Sequence, residues 1–166
     1  MKNQYTVNLE WTDRIPDYYD TFLMVKPGFL NRTQIILEVF SDVGYKVLKQ
    51  TQKVLCYGEA EKFYMMHRDK PYFIELCTYM SSGMTKGFVL KSPYNNENGM
   101  LKETNKWKNY FRKCYGKDEM KNVMHTSDNF INLQRETKLY FFDQAEDLQT
   151  EEANSDIYTI VGSKRM

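Results

Sequence analysis

The chain has 166 residues, enough for one domain with a real core, and 23 Lys/Arg against 22 Asp/Glu leave a formal charge of +1. So even a balance gives no global attraction to nucleic acid, and no apolar run is long enough to cross a membrane. Cys56, Cys77 and Cys114 are odd in number, widely spaced and without a CxxC pair, which argues against a disulfide framework or a zinc site. With an N-terminus that lacks a signal-peptide apolar core, they predict a cytoplasmic protein.

Thr21–Lys26 is a compact apolar run stopped by Pro27-Gly28 and predicts a buried strand. Asn31, with Gln34 three residues on, predicts a capping box for a helix whose stripe is Ile35, Ile36, Val39, Phe40 and Val43, ended by Gly44. Residues 45–55 form a second strand. A helix follows with Ala60, Phe63, Tyr64 and His67 on one face. Pro71 suits the first turn of another, whose apolar face is Phe73, Leu76, Cys77 and Met80.

Residues 85–91 give a third strand, and Ser92–Gly99 (SPYNNENG) reads as a turn-rich loop. A short helix between Leu101 and Tyr110 and a strand over Asn122–His125 come next. In the last helix Phe130, Leu133, Thr137, Tyr140 and Phe141 share a face, with Ser127 or Asp128 as its cap. The order β-α-β-α-α-β-α-β-α predicts an α+β fold of the ferredoxin-like (split βαβ) type, an antiparallel sheet with helices packed on it.

Charge is uneven. Residues 91–121 carry eight Lys/Arg against four acids, whereas residues 143–166 carry six acids against Lys164 and Arg165. A solvated surface is the default explanation of a charge run, yet a basic segment next to a histidine also suits a phosphate-bearing ligand. His125 lies between a predicted strand and a predicted helix, and imidazole there can serve as base, metal ligand or nucleophile, or simply as a cap. No GxxxxGK[ST] loop is present to cradle phosphates in its place.

Several separated pieces occur in order: Val25-Lys26-Pro27; Phe63-Tyr64 with Arg68-Asp69-Lys70-Pro71-Tyr72-Phe73; Tyr79-Met80-Ser81-Ser82-Gly83; then Arg112, Tyr115-Gly116, Asn122, His125, Ser127-Asp128 and Glu136. Over about residues 20–142 this set resembles the nucleoside diphosphate kinase family. The resemblance implies a phosphotransferase that moves the γ-phosphate of ATP or another nucleoside triphosphate to a nucleoside diphosphate by a ping-pong cycle. In it His125 would carry the phosphoryl group and Glu136 would orient its imidazole. Lys26 and Tyr64 would stand near the phosphates, with Arg112 and Thr104 on the β-phosphate side. Asn122 would contact the sugar and Tyr72 would stack on the base, with Ser127 in the turn after the histidine. Asp128 would bind Mg2+ through water.

The resemblance further implies a homo-oligomer, a hexamer in this family, and flanking extensions at residues 1–19 and, acidic, at 143–166. Neither a membrane nor a nucleic acid is an expected partner. The stretch between Leu90 and Arg112 departs from the family: Asn98 stands where a second phosphate-binding arginine is expected and the following loop is short, with Lys102 or Lys106 as candidate replacements. That departure supports a second reading, a catalytically weakened nucleotide-binding or interaction protein of the same descent.

Overall fold

The computed structural model describes residues 20–142; both expected extensions lie outside the described residues. Four strands form one sheet: β1 (Thr21–Val25), β2 (Lys46–Val54), β3 (Met84–Lys91) and β4 (Met124–Thr126). The helices are α1 (Thr33–Asp42), α2 (Tyr57–Phe63), α3 (Phe73–Met80), α4 (Glu97–Tyr115) and α5 (Phe130–Phe141), with 3-10 turns at Leu30–Arg32 and Met65–His67. The strand order is β2-β3-β1-β4 and every neighbouring pair is antiparallel. β1-α1-β2 and β3-α4-β4 are therefore interlocked crossovers, the ferredoxin-like arrangement that the order of elements predicts.

β1 is a continuous apolar run because it is buried on both faces. Phe22 and Met24 enter a core with Leu133, Tyr140 and Phe141 of α5 and Cys77 and Met80 of α3. Leu23 and Val25 enter the opposite core with Ile36 and Phe40 of α1 and Met100 and Phe111 of α4. Each such buried side chain contributes about 1.5–3 kcal/mol of transfer free energy. β3 lies alongside, and at Gly87 there is no room for a Cβ: the Tyr140 ring packs against the backbone, and its hydroxyl meets Thr85 Oγ1 at 2.7 Å. No helix among the described residues is long and apolar enough to cross a membrane.

Several local expectations change: Ile35 of the expected stripe is exposed, Pro71 precedes α3 instead of opening it, and the strand at His125 runs over Met124–Thr126. Asn31 does not cap α1. The chain is already wound into a 3-10 turn there, Arg32 is the N-cap with no side-chain bond, and Gln34 donates to Glu38 instead, at 3.1 Å. α4 is much longer than residues 101–110, because Asn96 accepts from Gly99 N at 2.6 Å and starts the helix inside the supposed loop. Packing of Met100, Thr104 and Phe111 offsets the poor helix propensity of Asn98 and Gly99. The cap of α5 is neither Ser127 nor Asp128 but Asn129, which accepts from Asn132 N at 2.8 Å.

Candidate active site

His125 is the middle residue of β4 and pairs with Met24 of β1. Alternation along the strand sends Met124 to the α1/α4 core and His125 to the other face. There its ring meets those of Phe63 and Tyr64, with centroids 5.4 and 6.3 Å away. His125 Nε2 is 3.0 Å from Glu136 Oε2, although the approach is too bent for a well-formed hydrogen bond and the pairing is chiefly electrostatic. A carboxylate beside Nε2 favours the proton on that nitrogen and leaves the lone pair on Nδ1.

Glu136 is 3% exposed and is held from its other oxygen by Ser127 Oγ at 2.8 Å, with Arg135 Nη2 3.6 Å away. Burial by itself would raise its carboxyl pKa. His125, the Ser127 hydroxyl and Arg135 outweigh burial and hold it below the usual range, so Glu136 is an anion at neutral pH.

Lys26 follows the end of β1, and its ammonium donates to Asn122 Oδ1 at 2.7 Å and to the Met120 carbonyl at 3.3 Å. Burial, with Arg112 and Lys108 nearby, lowers its pKa to about 7. Arg112, near the end of α4, reaches across to the Met124 carbonyl with Nε at 3.2 Å and Nη2 at 2.9 Å, fixing the peptide that carries His125. Between these anchors Val123 adopts φ +82°, a conformation that costs a β-branched residue about 1–3 kcal/mol. The bond from Lys26 N to Val123 O, 2.8 Å, and complete burial of Val123 hold it there.

A cavity of about 470 Å³ opens over these groups, within the range of small-molecule sites. His125, Glu136, Lys26, Tyr64, Tyr72, Arg112, Asn122 and Asp128 all line it. Among the described residues the Tyr64 hydroxyl is buried with no hydrogen-bond partner, and burial and then the Glu136 charge raise its pKa, so it remains an O–H donor. Tyr72 is 40% exposed at the rim. Such a buried orphan donor near Arg112 suits the oxygens of an anionic ligand.

Two expected residues are elsewhere. Thr104 faces the core: it is fully buried, and its Oγ1 donates to the Leu101 carbonyl at 3.2 Å, so the straight helix removes it from the cavity. Ser127 is buried behind Glu136 and serves the carboxylate, not the cavity. Lys102 and Lys106 are exposed, and the Lys106 ammonium stacks on Trp107, 4.9 Å from its centroid.

Sequence reasoning missed Lys108, His67 and Arg135, which also line the cavity. Lys108 was discoverable from the helical repeat, being four residues before Arg112. His67 meets the Tyr72 hydroxyl with Nδ1 at 2.9 Å, from a 3-10 turn and not from a continued helix. Nothing local marked Arg135, which donates to the Lys62 and Phe63 carbonyls at 3.2 Å each.

Fold and site together define an α+β phosphotransferase, a protein that handles phosphate-bearing substrates around a carboxylate-held histidine. The family model "Nucleoside diphosphate kinase" matches residues 19–146. The chain is 33% identical over 128 residues to a nucleoside diphosphate kinase of Chelativorans sp., covering 73% of this chain and 91% of that one. It is also 33% identical over 130 residues to one from Hyperthermus butylicus, covering 74% and 92%. Among solved structures, the Aquifex aeolicus nucleoside diphosphate kinase superposes with a TM-score of 0.62 at 26% identity, covering 74% of this chain and 94% of that one. The Encephalitozoon cuniculi enzyme shares the fold at a TM-score of 0.65 and 24% identity, covering 76% and 97%. This chain belongs to the nucleoside diphosphate kinase family.

Proposed function

We propose that the protein transfers the γ-phosphate of a nucleoside triphosphate to a nucleoside diphosphate through a phosphohistidine at His125, carried by the unit at residues 20–142. The observation that carries this reading is the His125–Glu136 pair at 3.0 Å facing a cavity lined by Lys26 and Arg112. In the first half-reaction the lone pair of Nδ1 forms a bond to the γ-phosphorus while the bridging P–O bond breaks and the electron pair leaves on the diphosphate. In the second, a terminal oxygen of another diphosphate attacks the phosphorus and the P–N bond breaks, restoring the imidazole.

The proton on Nε2 stays in place throughout, and Glu136 compensates the positive charge that grows on the ring. Lys26, Arg112 and the Tyr64 hydroxyl would receive the equatorial oxygens. Asn122, already bonded to Lys26, would take the sugar hydroxyl, and Tyr72 would stack on the base, a contact indifferent to base identity.

Among the described residues no trio of metal-ligating side chains exists. The exposed Asp128 carboxylate at the cavity suits a protein contact, through water, to Mg2+ held mainly by the nucleotide's own phosphates. When bound, the ion would supply charge neutralisation on the phosphates. Free thiols at Cys56, Cys77 and Cys114 support a cytoplasmic location, and membership of the family supports a homo-oligomer.

Incubation with γ-labelled ATP and magnesium should give an acid-labile, base-stable phosphoprotein whose label moves to added GDP. His125→Ala should abolish both signals. A wild-type protein that takes up no label and makes no GTP would overturn the reading in favour of a binding protein.

A further inference from the structure

Lys108 sits on α4 one turn before Arg112, so the two side chains leave the same face of the helix and both line the cavity. It is 9% exposed, unusual for a lysine unless something charged engages it. Its ion-pair partner is Asp128, 3.8 Å away, and that carboxylate is 63% exposed, which makes the pair weak. Glu136 also faces Lys108 but is already engaged by His125, Ser127 and Arg135. Lys26, on the opposite wall, feels both Lys108 and Arg112, with Asp118 as the acid facing it. Lys108, Arg112 and Lys26 thus line one cavity, and of the three Lys108 has the weakest tie to the protein.

We propose that Lys108 is a phosphate-binding residue which, with Arg112, clamps the terminal phosphates of the nucleotide from α4. The inference rests on the phosphotransferase reading and adds to it a contact that the helical form of residues 97–115 creates. Arg112 is partly committed to the Met124 carbonyl, whereas the Lys108 ammonium has three donors and no bond to the backbone. It is the more available of the two for an incoming phosphate oxygen.

The test compares ADP with adenosine by titration calorimetry on the full chain. Lys108→Met should weaken ADP binding about 10- to 100-fold, the range of one charge-assisted hydrogen bond, and leave adenosine binding within about twofold. Lys108→Arg should restore most of the ADP affinity. Lys106→Met, on an exposed position beside Trp107, should change neither ligand. Unchanged ADP binding in Lys108→Met would overturn the clamp, and so would parallel losses for ADP and adenosine, which would mark a packing role. If Lys108→Met does not fold, Lys108→Gln carries the same comparison. Wild-type protein that binds ADP no tighter than adenosine would sink the phosphotransferase reading itself; phosphate-dependent binding indifferent to Lys108 would sink only the clamp.

Discussion

The two walls of the cavity are built differently. On the strand side, around β4 and α5, the groups that hold the histidine form a network: Glu136 with His125 and Ser127, and Lys26 with Asn122. On the α4 side Lys108 presents charge with only a weak tie to Asp128, one helical turn from Arg112. The difference separates two tasks. A nucleophile needs one fixed orientation and tautomer, which a buried network provides, whereas a charged ligand needs cations that can exchange partners when it arrives.

The comparison breaks first at the carboxylate. Glu136→Ala should lower the rate of His125 phosphorylation by about 10²–10³-fold in rapid-quench measurements while leaving ADP affinity nearly intact, because it removes orientation and not ligand contact. A proportionate loss of ADP affinity would erase the division between the walls. Arg112→Lys should cost about 10-fold or more in phosphorylation rate, since a single ammonium cannot reproduce the two bonds to Met124 O. Rescue of that variant by added guanidinium would sharpen the assignment.

A third effect is set by pH. Lys26 has its pKa lowered to about 7, so in the free protein it is charged below that value and neutral above it. Phosphate favours the charged form. ADP affinity should therefore be full below pH 7 and fall as pH rises past it, by up to about tenfold per unit until the pKa of the complex is reached. Binding near pH 8 should take up a proton, visible as a dependence of calorimetric heat on the buffer's ionisation enthalpy. Affinity flat from pH 6 to 9 would place Lys26 outside the phosphate contacts. The smallest effect on activity belongs to Gly87→Ala, which forces a Cβ into the Tyr140 ring and should cost about 1–3 kcal/mol in chemical denaturation with the reaction at low temperature little changed.

How far the sequence carried depended on the range of the interaction. β1 was legible because a strand buried on both faces is apolar, and the stripe of α5 because helical burial repeats every 3.6 residues; in α1 the repeat located Ile36 and Phe40 but also took in Ile35, which is exposed. His125, Glu136, Lys26, Arg112 and Asn122 were legible through resemblance, and the fold does gather them round one cavity. The start of α4 was not, because Asn96 is a turn residue and a helix cap by the same chemistry, and only packing of Met100 and Phe111 selects the cap. The inward direction of Thr104 was not legible either, because it follows from the helix phase and not from its neighbours in the chain.

By itself, then, the sequence determined the periodicities that make the sheet and helices, and the chemical identity of the histidine, carboxylate and cations. Tertiary structure alone decided which of them meet. Local pattern specifies the direction of a side chain relative to its own element. The approach of Lys108 to Asp128 and of Arg135 to the Lys62 and Phe63 carbonyls depends instead on how separate elements pack. That packing is fixed by the two cores on either side of β1, which draw buried side chains from α1 through α5.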